Sequence, residues 1–308
     1  MRPPSEIWQA GESGTEVMQV VEQRALDTPA VRFRYAVAGV GLPVVLVPGS
    51  GGWELTFHRT ITELAGRHRV FAVDPPGQGG ARVLDPSFGY DADAVARSLG
   101  DFLDGVGLPA AAVVGHSWGG GFALRLAQLR PDRVSRLALL APGGLDVADV
   151  WEFRLLRQPL IGELVTRFAS VASARHMLRK SFAQSDRMPG DELIRMAIRQ
   201  MRSAPDAALL RRDLLRVERG VRWSDTERDL DRVRCPTLIL WGNRDRYFPV
   251  RLLARFTSRL RNVEAHALAG CGHSLHDDCP NRVYPLLTRF LTANVGAPAP
   301  DSEEQHNG

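Results

Sequence analysis

The chain has 308 residues, 44% of them hydrophobic and 24% charged, and a formal net charge of +4. That length and apolar content suit one large domain, or a core with an inserted subdomain. The small net charge, with bases interleaved among acids as in Arg211-Arg212-Asp213, argues against a nucleic-acid-binding stripe.

Residues 1–16 are polar and Gly/Pro-rich, so they are expected to be poorly ordered, and they lack the apolar stretch of a secretory signal. No run approaches the length of a membrane span, so a soluble, cytoplasmic protein without a membrane partner is expected. Val31–Ala38 alternates as a half-buried strand does. Val44-Val45-Leu46-Val47 is a short apolar run that ends at Pro48-Gly49-Ser50-Gly51-Gly52. Residues 53–67 have the length of a crossover helix. A second apolar run, 69–73, ends at Asp74-Pro75-Pro76-Gly77-Gln78-Gly79, and 91–106 again suits a crossover. Ala110-Ala111-Ala112-Val113-Val114 then leads into Gly115-His116-Ser117-Trp118-Gly119 and a helical segment, 120–127. Another apolar run follows at 137–140. Continuous apolar runs of this kind suit parallel strands buried on both faces.

The alternation stops after Ala141-Pro142-Gly143-Gly144. Residues 145–234 read as successive helices, near 150–156, 161–170, 174–182, 191–202 and 206–218, punctuated by Pro159, Pro189-Gly190, Pro205 and Gly220. Roughly ninety residues exceed one crossover several-fold, which predicts a helical cap or lid between two core strands. The strand pattern resumes at Thr237-Leu238-Ile239-Leu240, whose following loop presents Asp245. The apolar segment 263–268 runs into Ala269-Gly270-Cys271-Gly272-His273. Residues 17–144 and 235–294 thus form the expected core, and 295–308 a disordered tail. The cysteines are three, Cys235, Cys271 and Cys279. An odd number without framework spacing argues against a disulfide-stapled secreted domain, and no Cys/His metal spacing is present.

The segment 115–119 carries the chemistry. Strand, Gly-x-Ser-x-Gly, helix is a sharp reversal that holds a serine hydroxyl out at the sheet edge, beside helix N–H groups able to hold an oxyanion. A serine hydroxyl needs a base, and the base an orienting carboxylate. Asp245 and His273 lie at the C-terminal ends of later strands, on the edge of Ser117, where active sites of open α/β sheets form.

On the 48–52 loop, the 74–79 turn, the 115–119 elbow and the Asp245 and His273 loops, the chain resembles the α/β-hydrolase superfamily over about residues 17–294. The resemblance implies an α/β fold with a mostly parallel central sheet flanked by helices and an inserted helical lid. It implies Ser117 as nucleophile, His273 as base and then acid, and Asp245 as its orienter. It also implies an oxyanion hole from the backbone N–H groups of Trp118 and Ser50. Pro48-Gly49 stands where relatives often carry His-Gly, which leaves Gly51 as an alternative donor. Asp146 is the rival acid and His276 the rival base. His116 is read as packing, His58 and His68 as surface residues, and Asp74 as a turn-fixing residue. Gly51, Trp53, Trp151, Phe153, Leu156, Phe168 and Met177 are the candidate pocket residues.

The expected reaction is hydrolysis of a carboxylic ester or lactone of a small, fairly apolar molecule, with no cofactor or metal. The alternative is hydrolysis of a C–C bond in a diketone-like meta-cleavage product. Ser50-Gly51-Gly52-Trp53 is similar to that subgroup, but Ser274 stands where its members carry Trp after the histidine. A non-hydrolytic cyclase, a lyase or a ligand receptor on the same scaffold is the third reading.

Overall fold

The computed structural model describes residues 21–293 apart from Trp53 and Asp149. The expectations for 1–16, 295–308 and Trp53 therefore lie outside the described residues.

The strands are β1 (Glu22–Asp27), β2 (Val31–Ala38), β3 (Leu42–Val47), β4 (His68–Val73), β5 (Arg82–Val83), β6 (Ala111–His116), β7 (Val134–Leu140), β8 (Thr237–Gly242) and β9 (Val263–Leu268). They form one sheet in the order β1-β2-β4-β3-β6-β7-β8-β9, with β5 paired to β2. The contacts of β2 with β1, β4 and β5 are antiparallel, and every pairing from β4 through β3 to β9 is parallel. Apolar side chains of β3, β6, β7 and β8 are buried on both faces, which is why those segments read as continuous hydrophobic runs.

Helices α1 (His58–Ala65), α2 (Ala92–Gly105) and α3 (Trp118–Leu129) follow the early strands. Between β7 and β8 lie α4 (Trp151–Arg157), α5 (Pro159–Arg167), α6 (Val171–Ser181), α7 (Asp191–Ser203), α8 (Ala207–Gly220) and α9 (Ser224–Arg228). The chain closes with α10 (Leu253–Thr257), α11 (Leu275–Asp278) and α12 (Pro280–Thr292). No helix among the described residues is long and apolar enough to cross a membrane.

The last part of the expected 145–234 segment packs against the core. Val217, Val221, Trp223, Leu230 and Val233 are part of the main core cluster. Asp213 of α8 accepts a hydrogen bond from Tyr90 Oη at 2.8 Å and one from Val83 N–H at 3.2 Å. Buried Arg125 of α3 binds Asp93 at 2.6 Å and Asp229 at 2.7 Å, tying the end of the insertion to α2 and α3. Helical periodicity cannot separate a helix that packs on the sheet layer from one that stands above it. His68 is corrected: it opens β4 and is buried, whereas its place beside a predicted helix put it at the surface.

Candidate active site

The core strands β3, β6, β8 and β9 end on one edge of the sheet, and their following loops carry the predicted residues. The elbow after β6 places Ser117 at φ 52°, a left-handed conformation that costs a non-glycine residue energy. Its carbonyl accepts N–H bonds from Gly120 (2.9 Å), Gly121 (3.2 Å) and Gly143 (2.7 Å), which holds the strained turn in place. Close packing explains two of the glycines. A Cβ on Gly119 would lie 2.1 Å from the Val47 carbonyl oxygen, and one on Gly49 would lie 2.7 Å from Ser117 Cβ. Gly49 thus lets the 48–52 loop approach the serine where a side chain would clash.

Ser117 Oγ lies 2.9 Å from His273 Nε2, and His273 Nδ1 lies 2.8 Å from Asp245 Oδ2. All three side chains are buried. The other oxygen of Asp245 accepts N–H bonds from Tyr247 (2.8 Å) and Phe248 (2.9 Å). The carboxylate is therefore held by its own loop, and a group so held favours the tautomer with a proton on His273 Nδ1. Trp241 Nε1–H donates to the Phe248 carbonyl at 2.8 Å and fixes that loop to β8. The rings of Tyr247 and Phe248 pack on His273, with centroids 5.1 and 5.4 Å away. Burial raises the Tyr247 hydroxyl pKa, and Tyr247 Oη–H donates to the Met177 carbonyl at 2.9 Å.

The rivals fall elsewhere. Asp146 is exposed, and its N–H donates to Glu227 at 2.9 Å. His276 lies beneath the site, its ring 4.9 Å from that of His116 and 5.2 Å from Phe57. His116 turns away from Ser117 and does pack, but it also supports the base. Its Nε2 lies 3.0 Å from the His273 carbonyl oxygen, in donating position, and the two rings are 4.9 Å apart. Burial, followed by the neighbouring histidines, holds His116 well below the ordinary imidazole range, and burial also lowers His276. Burial thus keeps both rings in their neutral form at neutral pH.

Gly51 has φ +70°, and its N–H donates to Gln78 Oε1 at 2.5 Å. The Ser50 hydroxyl donates to the buried carboxylate of Glu218 on α8. Asp74 accepts the Gly80 N–H at 2.7 Å and fixes its turn, as expected. At α3, Trp118 occupies the first helical position, where N–H groups lack an intrahelical acceptor.

The insertion reaches this edge through α4 and α6. Phe153 stacks on Trp118 at 6.3 Å and meets Tyr247 at 5.9 Å. Arg157 sits 5.9 Å above the Trp118 ring. Leu156 is half-buried, with its carbonyl packed against Gly162. Met177 is half-buried beside Tyr247. Two candidate pocket residues are corrected. Trp151 and Phe168 expose 56% and 64% of their surface and pack against Lys180 and Arg167, respectively. Their apolar spacing satisfied a helix face, but that face is the outer one.

Several residues that hold the site were not singled out by the sequence. Asp278 is buried and accepts N–H bonds from Gly272 (2.6 Å), Ala183 (3.0 Å) and Gln184 (2.9 Å). Ser274 N–H donates to the Ser181 carbonyl at 2.9 Å. The histidine loop is thus clasped to the end of α6. Cys271 and Cys279 form a disulfide, with Cα atoms 5.8 Å apart, that brackets His273. The odd cysteine count argued against such a staple, because pairing within one short loop leaves no framework spacing to read. Only Tyr247 and Phe248 carried a usable signal, as aromatic residues two and three positions after the predicted acid.

The family model described as the alpha/beta hydrolase fold matches residues 43–280. A cis-3-alkyl-4-alkyloxetan-2-one decarboxylase of Shewanella oneidensis is 26% identical over 284 residues, covering 85% of this chain and 85% of that protein. A 2-hydroxy-6-oxo-6-phenylhexa-2,4-dienoate hydrolase of Burkholderia cepacia is 26% identical over 283 residues, covering 88% and 96%. Among solved structures, a 2-hydroxy-6-oxo-6-phenylhexa-2,4-dienoate hydrolase from a Rhodococcus strain superimposes with a TM-score of 0.75 at 20% identity, covering 89% of this chain and 100% of that one. At that identity the superposition speaks for the fold.

Proposed function

This chain belongs to the α/β-hydrolase fold family, and on that premise we propose that it hydrolyses a carboxylic ester or lactone of a small, fairly apolar molecule through Ser117, His273 and Asp245. The observation that carries the reading is the unbroken, buried relay from Ser117 Oγ to His273 Nε2 and from His273 Nδ1 to Asp245. In the first step Ser117 Oγ attacks the carbonyl carbon while His273 Nε2 takes its proton. Asp245 holds the ring and stabilises the imidazolium. The Trp118 N–H, at the start of α3, and the Ser50 N–H hold the oxyanion. Gly51 is the weaker donor because its N–H is committed to Gln78. The tetrahedral adduct then collapses, His273 passes its proton to the departing alkoxide, and Ser117 is left acylated. Water attacks the acyl-enzyme with His273 again as base, and release of the acid restores Ser117. Phe153, Leu156 and Met177 are proposed to contribute apolar wall to the pocket, and residues from the 145–234 region to close over it.

A second reading is favoured by similarity to the Burkholderia dienoate hydrolase. In that reading the same relay serves cleavage of a C–C bond beside a carbonyl. The Shewanella relative bears on the substrate alone, since its name specifies a cyclic ester but a decarboxylation rather than a hydrolysis. The test is turnover of a panel of p-nitrophenyl esters, lactones and a dienoate diketone, with fluorophosphonate labelling in parallel. Ester or lactone turnover with label on Ser117 is expected. Turnover of the diketone alone would replace the ester reading with the second, and labelling elsewhere would remove the mechanism common to both.

A further inference from the structure

Helix α5 is divided lengthwise. Gly162 and Thr166 form its inner side, with a Cβ on Gly162 set to meet the Leu156 carbonyl oxygen at 2.2 Å and Leu215 at 2.9 Å. Its outer side carries Leu160, Ile161, Leu164 and Val165, continued by Phe168 at the cap, and all five are exposed. Their spacing puts them in two adjacent i,i+4 rows, so they form one continuous stripe. Leu160 is 80% exposed. Trp151 and Leu155 of α4, the helix packed against α5, are exposed as well. Together these make seven of the eleven large hydrophobic side chains exposed among the described residues. Single exposed apolar residues need no explanation, but concentration on one face marks a contact surface.

The charges around the stripe identify what it contacts. Arg154 on α4 and Arg167 on α5 are exposed beside it. At its start, Arg219 Nη2 donates to the Pro159 carbonyl at 3.0 Å. Past its end, Arg202 Nη1 donates to the Ala169 carbonyl at 3.1 Å. On α4 and α5 the exposed charges are thus Arg154 and Arg167 against Glu163, and the guanidiniums of Arg219 and Arg202 add to the cations at the two ends. An apolar stripe with a cationic border is the pattern of a helix lying in a lipid interface, where arginine stems lie along apolar surface and their heads meet anionic headgroups. A second copy would bring like-charged borders together across a two-fold axis, which opposes self-association.

We propose that the outer face of α5, with Trp151 and Leu155, docks reversibly on an anionic lipid surface. The sequence expectation of no membrane partner rested on the lack of a spanning segment, and lying on a surface needs none. The face is the outer side of the unit that brings Phe153 and Arg157 to Trp118. The inference does not depend on which reaction Ser117 performs.

The experiment is flotation of the full chain with vesicles of equimolar phosphatidylserine and phosphatidylcholine, and with phosphatidylcholine vesicles alone. Wild type should bind the anionic vesicles at least about tenfold more strongly than the neutral ones. The triple variant Leu160→Gln, Leu164→Gln, Val165→Gln should lose binding to both by about tenfold or more. Arg154→Glu with Arg167→Glu should lose the preference for anionic vesicles while keeping the apolar stripe. Circular dichroism melts confirm that the variants fold, and the arginine pair tests the proposal independently of the triple variant. Wild-type binding no stronger than that of the triple variant would overturn the proposal. Equal binding to both vesicle types would overturn the anionic assignment. Self-association in sedimentation that the triple variant abolishes would assign the face to a second copy and overturn the lipid.

Discussion

Ser117 is buried yet strained, with its hydroxyl aimed at His273 and its carbonyl held by three N–H donors. Replacing it by alanine removes the hydroxyl and leaves those backbone bonds. Ser117→Ala should therefore fold normally and lose several powers of ten in kcat, because nucleophile and base act as a unit. A clean preparation retaining activity within about tenfold of wild type would refute the proposed mechanism. The same reasoning separates the rivals. Asp245→Asn should cut kcat/KM strongly, since the carboxylate contacts His273 Nδ1, whereas Asp146→Asn at an exposed position should not. Steady-state kinetics on the two variants decide between them.

At the scale of elements, the histidine loop between β9 and α11 depends on its clasp to α6. The Asp278 carboxylate satisfies three N–H donors, and burial makes each lost bond cost about 1–3 kcal/mol. Asp278→Asn is expected to lower kcat about tenfold or more with a smaller change in KM. Asp278→Glu should recover part of it. Equal falls in activity and in folded fraction, with no change in kcat per folded molecule, would reduce Asp278 to a structural role. The disulfide across the same loop closes a sequence separation of 8 residues. Chain-entropy reasoning gives Cys279→Ser a loss of about 2–3 kcal/mol, to be read as a lower denaturation midpoint. Helix α4 belongs to a different question. Phe153 stacks on Trp118, next to the proposed nucleophile, so Phe153→Ala should change the ranking of acyl groups in kcat/KM while fluorophosphonate labelling of Ser117 persists. If all substrates scaled equally, Phe153 would not contribute to selectivity.

For the whole molecule, the buried imidazoles couple stability to pH. His116 and His276 have folded pKa values below the ordinary value of 6.5, burial being the first cause in each. The unfolded chain takes up these protons as pH falls through about 6.5, and the folded chain refuses them. Stability from these groups is thus fully present above that value and is lost below it. Melting temperature should fall between about pH 8 and pH 5.5, and His276→Gln should make the fall shallower. An unchanged slope would show that these histidines do not govern it.

The linear order of residues already contained the parallel strands, the elbow and the acid and histidine loops. Each is written locally: an apolar run buried on both faces, then a turn whose glycines permit close approach. Strand C-termini share an edge in such a sheet, so placing Ser117, Asp245 and His273 together required only counting strands. Three-dimensional packing alone decided the rest. Asp278 reaches Ala183 and Gln184 across about ninety residues, and a contact at that separation leaves no periodicity to read. The Cys271–Cys279 pair needed the β9–α11 turn to bring its sulfurs together. The insertion shows the division most plainly. Its helices were visible from their 3.6-residue period. Which apolar stripe faces inward was not, because periodicity reports that a face exists and only packing against α8, Trp118 and the core determines the side it takes. Phe153 turned toward the elbow, while Trp151 and Phe168 turned out to solvent.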